Sequence, residues 1–205
     1  MAADKQHVNH ATLAQYVPPP KLQLPAVQAS LRSKRLRLRP FDMSDSLVVQ
    51  LLAGDKEVAY NTRLIPHPYP DGLAAVWISS LPALYEQSKG ISFAITLPAG
   101  DLIGSIGLTL YPADNHAELG YWVGKPYWNK GYCTEAAAVV MKYAFEKLKI
   151  ERIFAHYLAR NPASGRVLTK LGLQQEGCLR GHRYKDGAYE DLIVCGVLRG
   201  EFGKK

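Results

Sequence analysis

The stretch from Glu118 to Ala136 limits what this chain can fold into more than any other. Glu118-Leu-Gly-Tyr-Trp-Val123 reads as a strand and Lys125-Pro-Tyr-Trp-Asn-Lys-Gly131 as a turn, and from Thr134 onward Ala137, Met141, Ala144 and Leu148 recur at helical spacing. A helix with one apolar face that leaves a strand through a glycine turn packs back onto a sheet, which selects an α/β arrangement. The first amides of such a helix lack internal acceptors and sit at the positive end of its dipole. The backbone of Lys130, Gly131, Tyr132 and Cys133 is therefore positioned to cradle an anion, most naturally a phosphate or pyrophosphate. Lys130 adds a charge of the right sign, Gly131 permits a close backbone approach, and Cys133 is small enough to admit a ligand. The passage is neither a P-loop, for it has no Gly-Lys-Ser/Thr, nor a Gly-x-Gly-x-x-Gly dinucleotide turn.

The remaining elements fit around this unit. Arg35-Leu-Arg-Leu-Arg-Pro40 alternates strictly and predicts a half-buried strand, with Leu36 and Leu38 inward and the three arginines on a solvated face. Asp42 or Ser44 caps a short helix carrying Leu47, Val48, Leu51 and Leu52. A proline-containing loop over 61–71 leads to a second helix over 73–87, and strands over 91–97 and 102–111 are joined by Pro98-Ala-Gly-Asp101. The strand over 118–123 is the fourth, counted from Arg35. A fifth strand over 152–158 precedes a helix over 163–171 that ends at Gly172, and two last strands flank Lys185-Asp-Gly187. The order predicts a mixed sheet with helices on both faces.

Composition narrows the function classes. The chain has 205 residues and a net charge of +7, enough for one domain with an extension. Residues 1–32, with Pro18, Pro19, Pro20 and Pro25, read as an N-terminal arm, and 33–205 as the domain. No apolar run approaches the ~18 residues that span a bilayer. The first residues lack the apolar core of a secretory signal, and Asp4 with no arginine before Arg32 argues against a mitochondrial presequence, so a cytoplasmic location is expected. Cys133, Cys178 and Cys195 form neither a disulfide framework nor a zinc pattern, and His116, His156 and His182 have no metal-ligand spacing, so no metal is expected. His156, inside a core strand, reads as a hydrogen-bonded structural residue. The basic balance suits nucleic acid, an anionic membrane or a phosphorylated small molecule.

Four stretches resemble one family. Trp128-Asn-Lys-Gly131-Tyr-Cys133-Thr-Glu-Ala resembles the acetyl-CoA-binding motif of the GNAT superfamily of N-acetyltransferases, Gln/Arg-x-x-Gly-x-Gly/Ala at the start of the central helix. Arg35-Leu-Arg-Leu-Arg-Pro-Phe41, Ala117-Glu-Leu-Gly-Tyr-Trp122 and Asn161-Pro-Ala-Ser164-Gly-Arg-Val-Leu-Thr-Lys170-Leu-Gly172-Leu are similar to the RimJ/RimL-like branch, in the same order along residues 34 to 198. Trp128 stands where the general motif has Gln or Arg, Cys133 replaces the final Gly or Ala, and the Tyr that many members place after the Asn/Ser stretch is missing, with Leu168 and Leu171 in that region.

The resemblance implies a single GNAT-like α/β domain, with a mostly antiparallel seven-stranded sheet splayed between its fourth and fifth strands. It implies acetyl-CoA as cosubstrate and direct attack by a primary amine in a ternary complex. On the family's pattern Tyr121, Trp122 and Val123 present the edge that pantetheine pairs with, and the Val123 amide meets the oxyanion. Trp128, Asn129, Lys130, Gly131, Tyr132, Cys133 and Thr134 hold the pyrophosphate. Asn161 contacts pantetheine, Ser164 protonates the departing sulfur, Lys170 reaches the 3′-phosphate, and Glu118 draws the proton from the amine through water. For Asn161 and Ser164 helix capping is the competing reading, and for Glu118 a cross-strand ion pair. The expected acceptor is a protein N-terminal amine or a small-molecule amine, with no membrane partner, nucleic acid met only through the ribosome, and a monomer or homodimer as the assembly. Two rivals stand beside it: a CoA-binding regulatory module without transfer activity, and a basic RNA- or ribosome-associated protein.

Overall fold

The computed structural model describes residues 22–204, and the Pro18-Pro19-Pro20 part of the arm lies outside them. The elements run β1 (Leu31–Arg32), β2 (Arg37–Arg39), α1 (Ser46–Ala53), α2 (Lys56–Asn61), α3 (Leu73–Glu86), β3 (Gly90–Thr96), β4 (Leu102–Tyr111), β5 (His116–Val123), α4 (Tyr132–Glu146), β6 (Arg152–Leu158), α5 (Pro162–Lys170), β7 (Gln174–Lys185) and β8 (Ala188–Leu198). The strands form one sheet in the order β1-β2-β3-β4-β5-β6-β8-β7. It has eight strands where seven are expected. The extra one, β1, is two residues pairing Leu31 with Leu38 and Arg32 with Arg37, too short to show a period. The second miss is α2, a single capped turn in which Asp55 accepts from the amides of Glu57 and Val58.

Every neighbouring pair is antiparallel except β5 and β6. That parallel ladder holds only His116↔Arg152, Ala117↔Ile153 and Glu118↔Phe154, and past Glu118 the two strands are no longer paired. β5 stays on β4 as far as Val123, and β6 stays on β8 as far as Leu158, so the opening between them is held on both sides.

Alternation along β5 sorts its side chains to two faces. Leu119, Tyr121 and Val123 join the main core, with Phe93 and Ile106 of the sheet, Ala137 and Met141 of α4 and Leu168 of α5. Trp122 packs in a second cluster with Val49 and Ala53 of α1 and Ala74 and Ile78 of α3. The phase of α1 differs from the sequence expectation: Leu47 and Leu51 are 79% and 75% exposed, while Val49 and Ala53 face the sheet. The capping box ahead of α1 sets that phase, with Asp42 accepting from Ser44 and Asp45 from Asp42. The described part of the arm lies on the domain, where Leu22 is buried in the main core and Gln28 Nε2 donates to Ser92 O at 2.8 Å.

Candidate active site

The opening between β5 and β6 has two faces, and its chemistry divides between them. In the plane of the sheet, Gly124 N–H donates to Ile103 O of β4 at 2.8 Å, on the side away from the opening. Strand alternation then turns the Val123 backbone the other way, toward the opening. The Val123 carbonyl is taken there by the Trp128 indole Nε1–H at 2.6 Å. Trp128 thus ties the turn to the strand edge, and the Val123 N–H is left facing the gap.

The turn winds through left-handed backbone at Asn129 (φ 61°) and Gly131 (φ 76°), the second of which only glycine adopts readily. The first amide of α4 with a helical acceptor is Glu135 N–H, on Gly131 O at 3.1 Å, so those of Gly131, Tyr132, Cys133 and Thr134 precede the ladder. Left-handed turns followed by free helix amides form a concave set of donors suited to a phosphate. Burial pushes the Cys133 thiol up to about 12, so at this position it is a small neutral side chain. Lys130 folds back on the turn, donating to Pro126 O at 3.0 Å.

Arg35 stands beside this turn, a role its alternation on a solvated strand face did not suggest. Its guanidinium donates to Lys130 O at 3.0 Å, lies 4.8 Å from the Tyr132 ring centroid and pairs with Glu135 at 2.7 Å. Burial works to raise the Glu135 carboxyl, but Ser33 Oγ, the Arg35 amide and the Arg35 guanidinium together hold it below the ordinary carboxylate value. Free amides, a cation beside the turn and an open strand edge fit the pyrophosphate and pantetheine of a CoA thioester.

Tyr121 and Ser164 meet on the same face, with Tyr121 Oη and Ser164 Oγ 2.9 Å apart. Burial, foremost, lifts the Tyr121 hydroxyl well above its ordinary value and keeps it protonated. A tyrosine is therefore next to Ser164 after all, delivered by the strand rather than by the segment after Asn161. Asn161 is committed at both ends: its Oδ1 accepts from Ser164 N–H at 3.1 Å, capping α5, and its Nδ2 donates to Asn61 O of α2 at 2.9 Å. Lys170 is exposed in the last turn of α5, in no ion pair among the described residues.

The opposite face carries Glu118, Gly120 and Trp122. The Trp122 side chain is packed against α1 and α3 and its backbone, one residue before Val123, turns back to Ser105 of β4, so neither reaches the opening. Glu118 is a hub: its Oε1 accepts from Arg63 at 2.8 Å and lies 3.1 Å from His156 Nδ1, and its Oε2 is 3.4 Å from Tyr111 Oη. Burial and then the Glu118 charge raise the Tyr111 hydroxyl. Between Glu118 and Trp122, a Cβ built on Gly120 meets nothing within 4 Å, so the face is open there. The walls come from distant segments, for Lys185 Nζ donates to Ile65 O at 2.8 Å and the Arg160 guanidinium lies 3.8 Å from the Tyr60 ring centroid. Arg160 also pairs with Asp186 and Glu190. Arg63, Tyr111 and the catalytic-face setting of His156 escaped sequence reading, since only the β5–β6 register and the loop after α2 bring them to Glu118.

A mixed sheet splayed at its parallel junction, with free helix-start amides at the core face of the gap, has the layout of an acyl-transferring domain. Residues 35–174 match the acetyltransferase (GNAT) domain, and the chain belongs to that family of N-acetyltransferases. It is 35% identical over 124 residues to the uncharacterized N-acetyltransferase YoaA of Bacillus subtilis, covering 60% of this chain and 70% of that protein. It is 28% identical over 131 residues to the [ribosomal protein uS5]-alanine N-acetyltransferase of Escherichia coli, covering 62% and 67%. The fold matches that of Mycobacterium smegmatis RimJ in complex with CoA-disulfide, with a TM-score of 0.75 at 24% identity over 86% of this chain and 89% of that one.

Proposed function

We propose that this enzyme moves the acetyl group of acetyl-CoA to a protein N-terminal amine. The observation that carries the reading is the gap between β5 and β6, with free α4 amides on one face and the Glu118 hub on the other. Bound acetyl-CoA supplies an activated acetyl thioester. The amides from Gly131 to Thr134, flanked by Asn129 and by the Lys130 and Arg35 cations, hold its pyrophosphate, and Lys170 reaches its ribose phosphate. The β5 edge from Tyr121 to Val123 pairs with the pantetheine arm alongside Asn161, and the Val123 N–H donates to the carbonyl oxygen as charge develops there. Ser164, supported by Tyr121, delivers a proton to the leaving sulfur. The Glu118 hub removes the proton that keeps the amine from attacking.

The choice of acceptor rests on charge. Glu118, Asp186 and Glu190 are each paired with an arginine, so these three carboxylates are not free to take the second charge of a polyamine. The uS5-alanine enzyme among the relatives points the same way. The test is to incubate the purified protein with acetyl-CoA and, separately, peptides beginning with Ala or Ser, a polyamine and a simple alkylamine, reading free thiol and product mass. Acetylation of the peptide N-terminal nitrogen is expected. A faster polyamine reaction overturns the acceptor assignment, and thermal stabilisation by acetyl-CoA with no transfer to any amine makes the protein a CoA-binding module.

A further inference from the structure

We propose that the atom accepting the acceptor's proton is His156 Nε2, with Glu118 and Arg63 as positioning residues that hold the imidazole in the tautomer able to do so. The inference rests on the acetyltransferase reading above and names the base within its Glu118 hub.

Glu118 is poorly placed to be the base itself. Its Oε1 faces the Arg63 guanidinium at 2.8 Å and the His156 ring at 3.1 Å, and its Oε2 faces Tyr111. Both carboxylate oxygens already face donors of this chain, so an incoming ammonium would have to displace one of them. A carboxylate only accepts, so the 3.1 Å contact requires hydrogen on His156 Nδ1 and leaves the lone pair on Nε2. Among the described residues Nε2 has no hydrogen-bond partner, and it is not among the unpartnered atoms sealed from solvent.

The register puts that nitrogen at the right lip of the gap. The parallel ladder ends at Glu118↔Phe154, so two residues further along His156 lies across the opening from Gly120, where the sheet face is empty. The Phe154 ring meets the imidazole edge-on at 5.4 Å and fixes its plane. The groups facing His156 are Glu118 of β5, Tyr111 of β4 beyond it, Arg63 from the loop after α2, and the apolar Val194 of β8.

The step balances. The acceptor R–NH3+ gives one proton to His156 Nε2, and the freed nitrogen lone pair attacks the acetyl carbonyl carbon. The C–N bond forms and the C–S bond breaks. The sulfur leaves with the electron pair and takes the second nitrogen proton through Ser164, and the imidazolium returns the first to water.

His156→Gln is expected to lower kcat by about 10²-fold or more while the KM for acetyl-CoA stays within about two-fold, and to abolish the acidic limb of the kcat/KM–pH profile. Added imidazole should restore part of the rate in His156→Gly. Glu118→Gln keeps the base but loosens it, so its kcat falls by only about ten-fold and its acidic limb persists at a displaced pH. A His156→Gln enzyme within about three-fold of wild type, with its acidic limb unchanged, overturns the proposal and leaves the transferase reading intact. Wild-type protein inactive on every amine overturns that reading instead. Should the His156 variants melt early, NMR titration of the wild-type ring decides. A midpoint coinciding with the acidic limb of kcat/KM is expected, and a ring that does not titrate with that limb refutes the assignment.

Discussion

Asp45 is one of three buried polar or charged residues among those described, and every part of its carboxylate is used. Arg39 grips it with two hydrogen bonds, at 2.7 and 2.8 Å, and Asp42 N–H donates to it at 2.9 Å. The contact fastens β2, an edge region of the sheet, to the start of α1, and so fixes the phase that turns Val49 and Ala53 inward. Asp45→Ala leaves the capping amide without a partner and the half-buried guanidinium with only its contact to Pro40 O. A loss of about 2 kcal/mol in denaturant unfolding is expected, with acetyl-CoA affinity largely preserved. Tyr121 has the opposite profile. Its hydroxyl is held protonated by burial and touches Ser164, so Tyr121→Phe should lower kcat by about ten-fold while stability changes by only about 1 kcal/mol, read by initial rates and a thermal melt.

The start of α4 is where local geometry and ligand binding are the same problem. Gly131 combines a φ of 76° with a direct view of the free amides, so Gly131→Ala strains the turn and should weaken acetyl-CoA binding by about ten-fold in calorimetry. Gly120 gives a contrasting case on β5, the strand before this helix. Its backbone is ordinary and its Cβ space empty, so Gly120→Val should fold normally, keep acetyl-CoA affinity, and raise the acceptor KM by intruding on the amine's entry. The Glu135 contacts with Ser33 and Arg35 bind the same helix to the segment between β1 and β2. Because its folded carboxyl lies below the ordinary value, this stabilisation is present above the unfolded-state value and is lost as pH falls through the folded one. The stability advantage of wild type over Glu135→Gln should therefore hold at neutral pH, begin to fall below about pH 4 and be gone once the pH has passed the lowered folded value, in parallel urea titrations.

For the whole molecule, the gap between β5 and β6 is bridged by no backbone ladder, so a ligand lying in it adds contacts between the two halves of the sheet. Acetyl-CoA at about 100 times its Kd is expected to stabilise the folded state by roughly 2.7 kcal/mol, read in a thermal melt as a rise of about 5–10 °C in Tm for a domain of this size. Much of this molecule is written locally. The strict alternation of Arg35 to Arg39, the apolar period of α4, the glycine turn at Gly131 and the Asn161–Ser164 cap depend on neighbours a few residues away, so the sequence by itself determined the order of the longer elements, the glycine turn ahead of α4 and the family. The short β1 and α2 carry too few residues for a period to emerge, and the phase of α1 hangs on a cap bonded to Arg39. The grouping of Arg63, Tyr111, Glu118 and His156 joins four segments, up to 93 positions apart in the chain (156 − 63), through the β5–β6 register and the loop after α2. Such a register is set by which faces the whole sheet buries. Only the tertiary structure could decide that Glu118 is held by an arginine, and that a histidine reading as structural faces the open side of the gap.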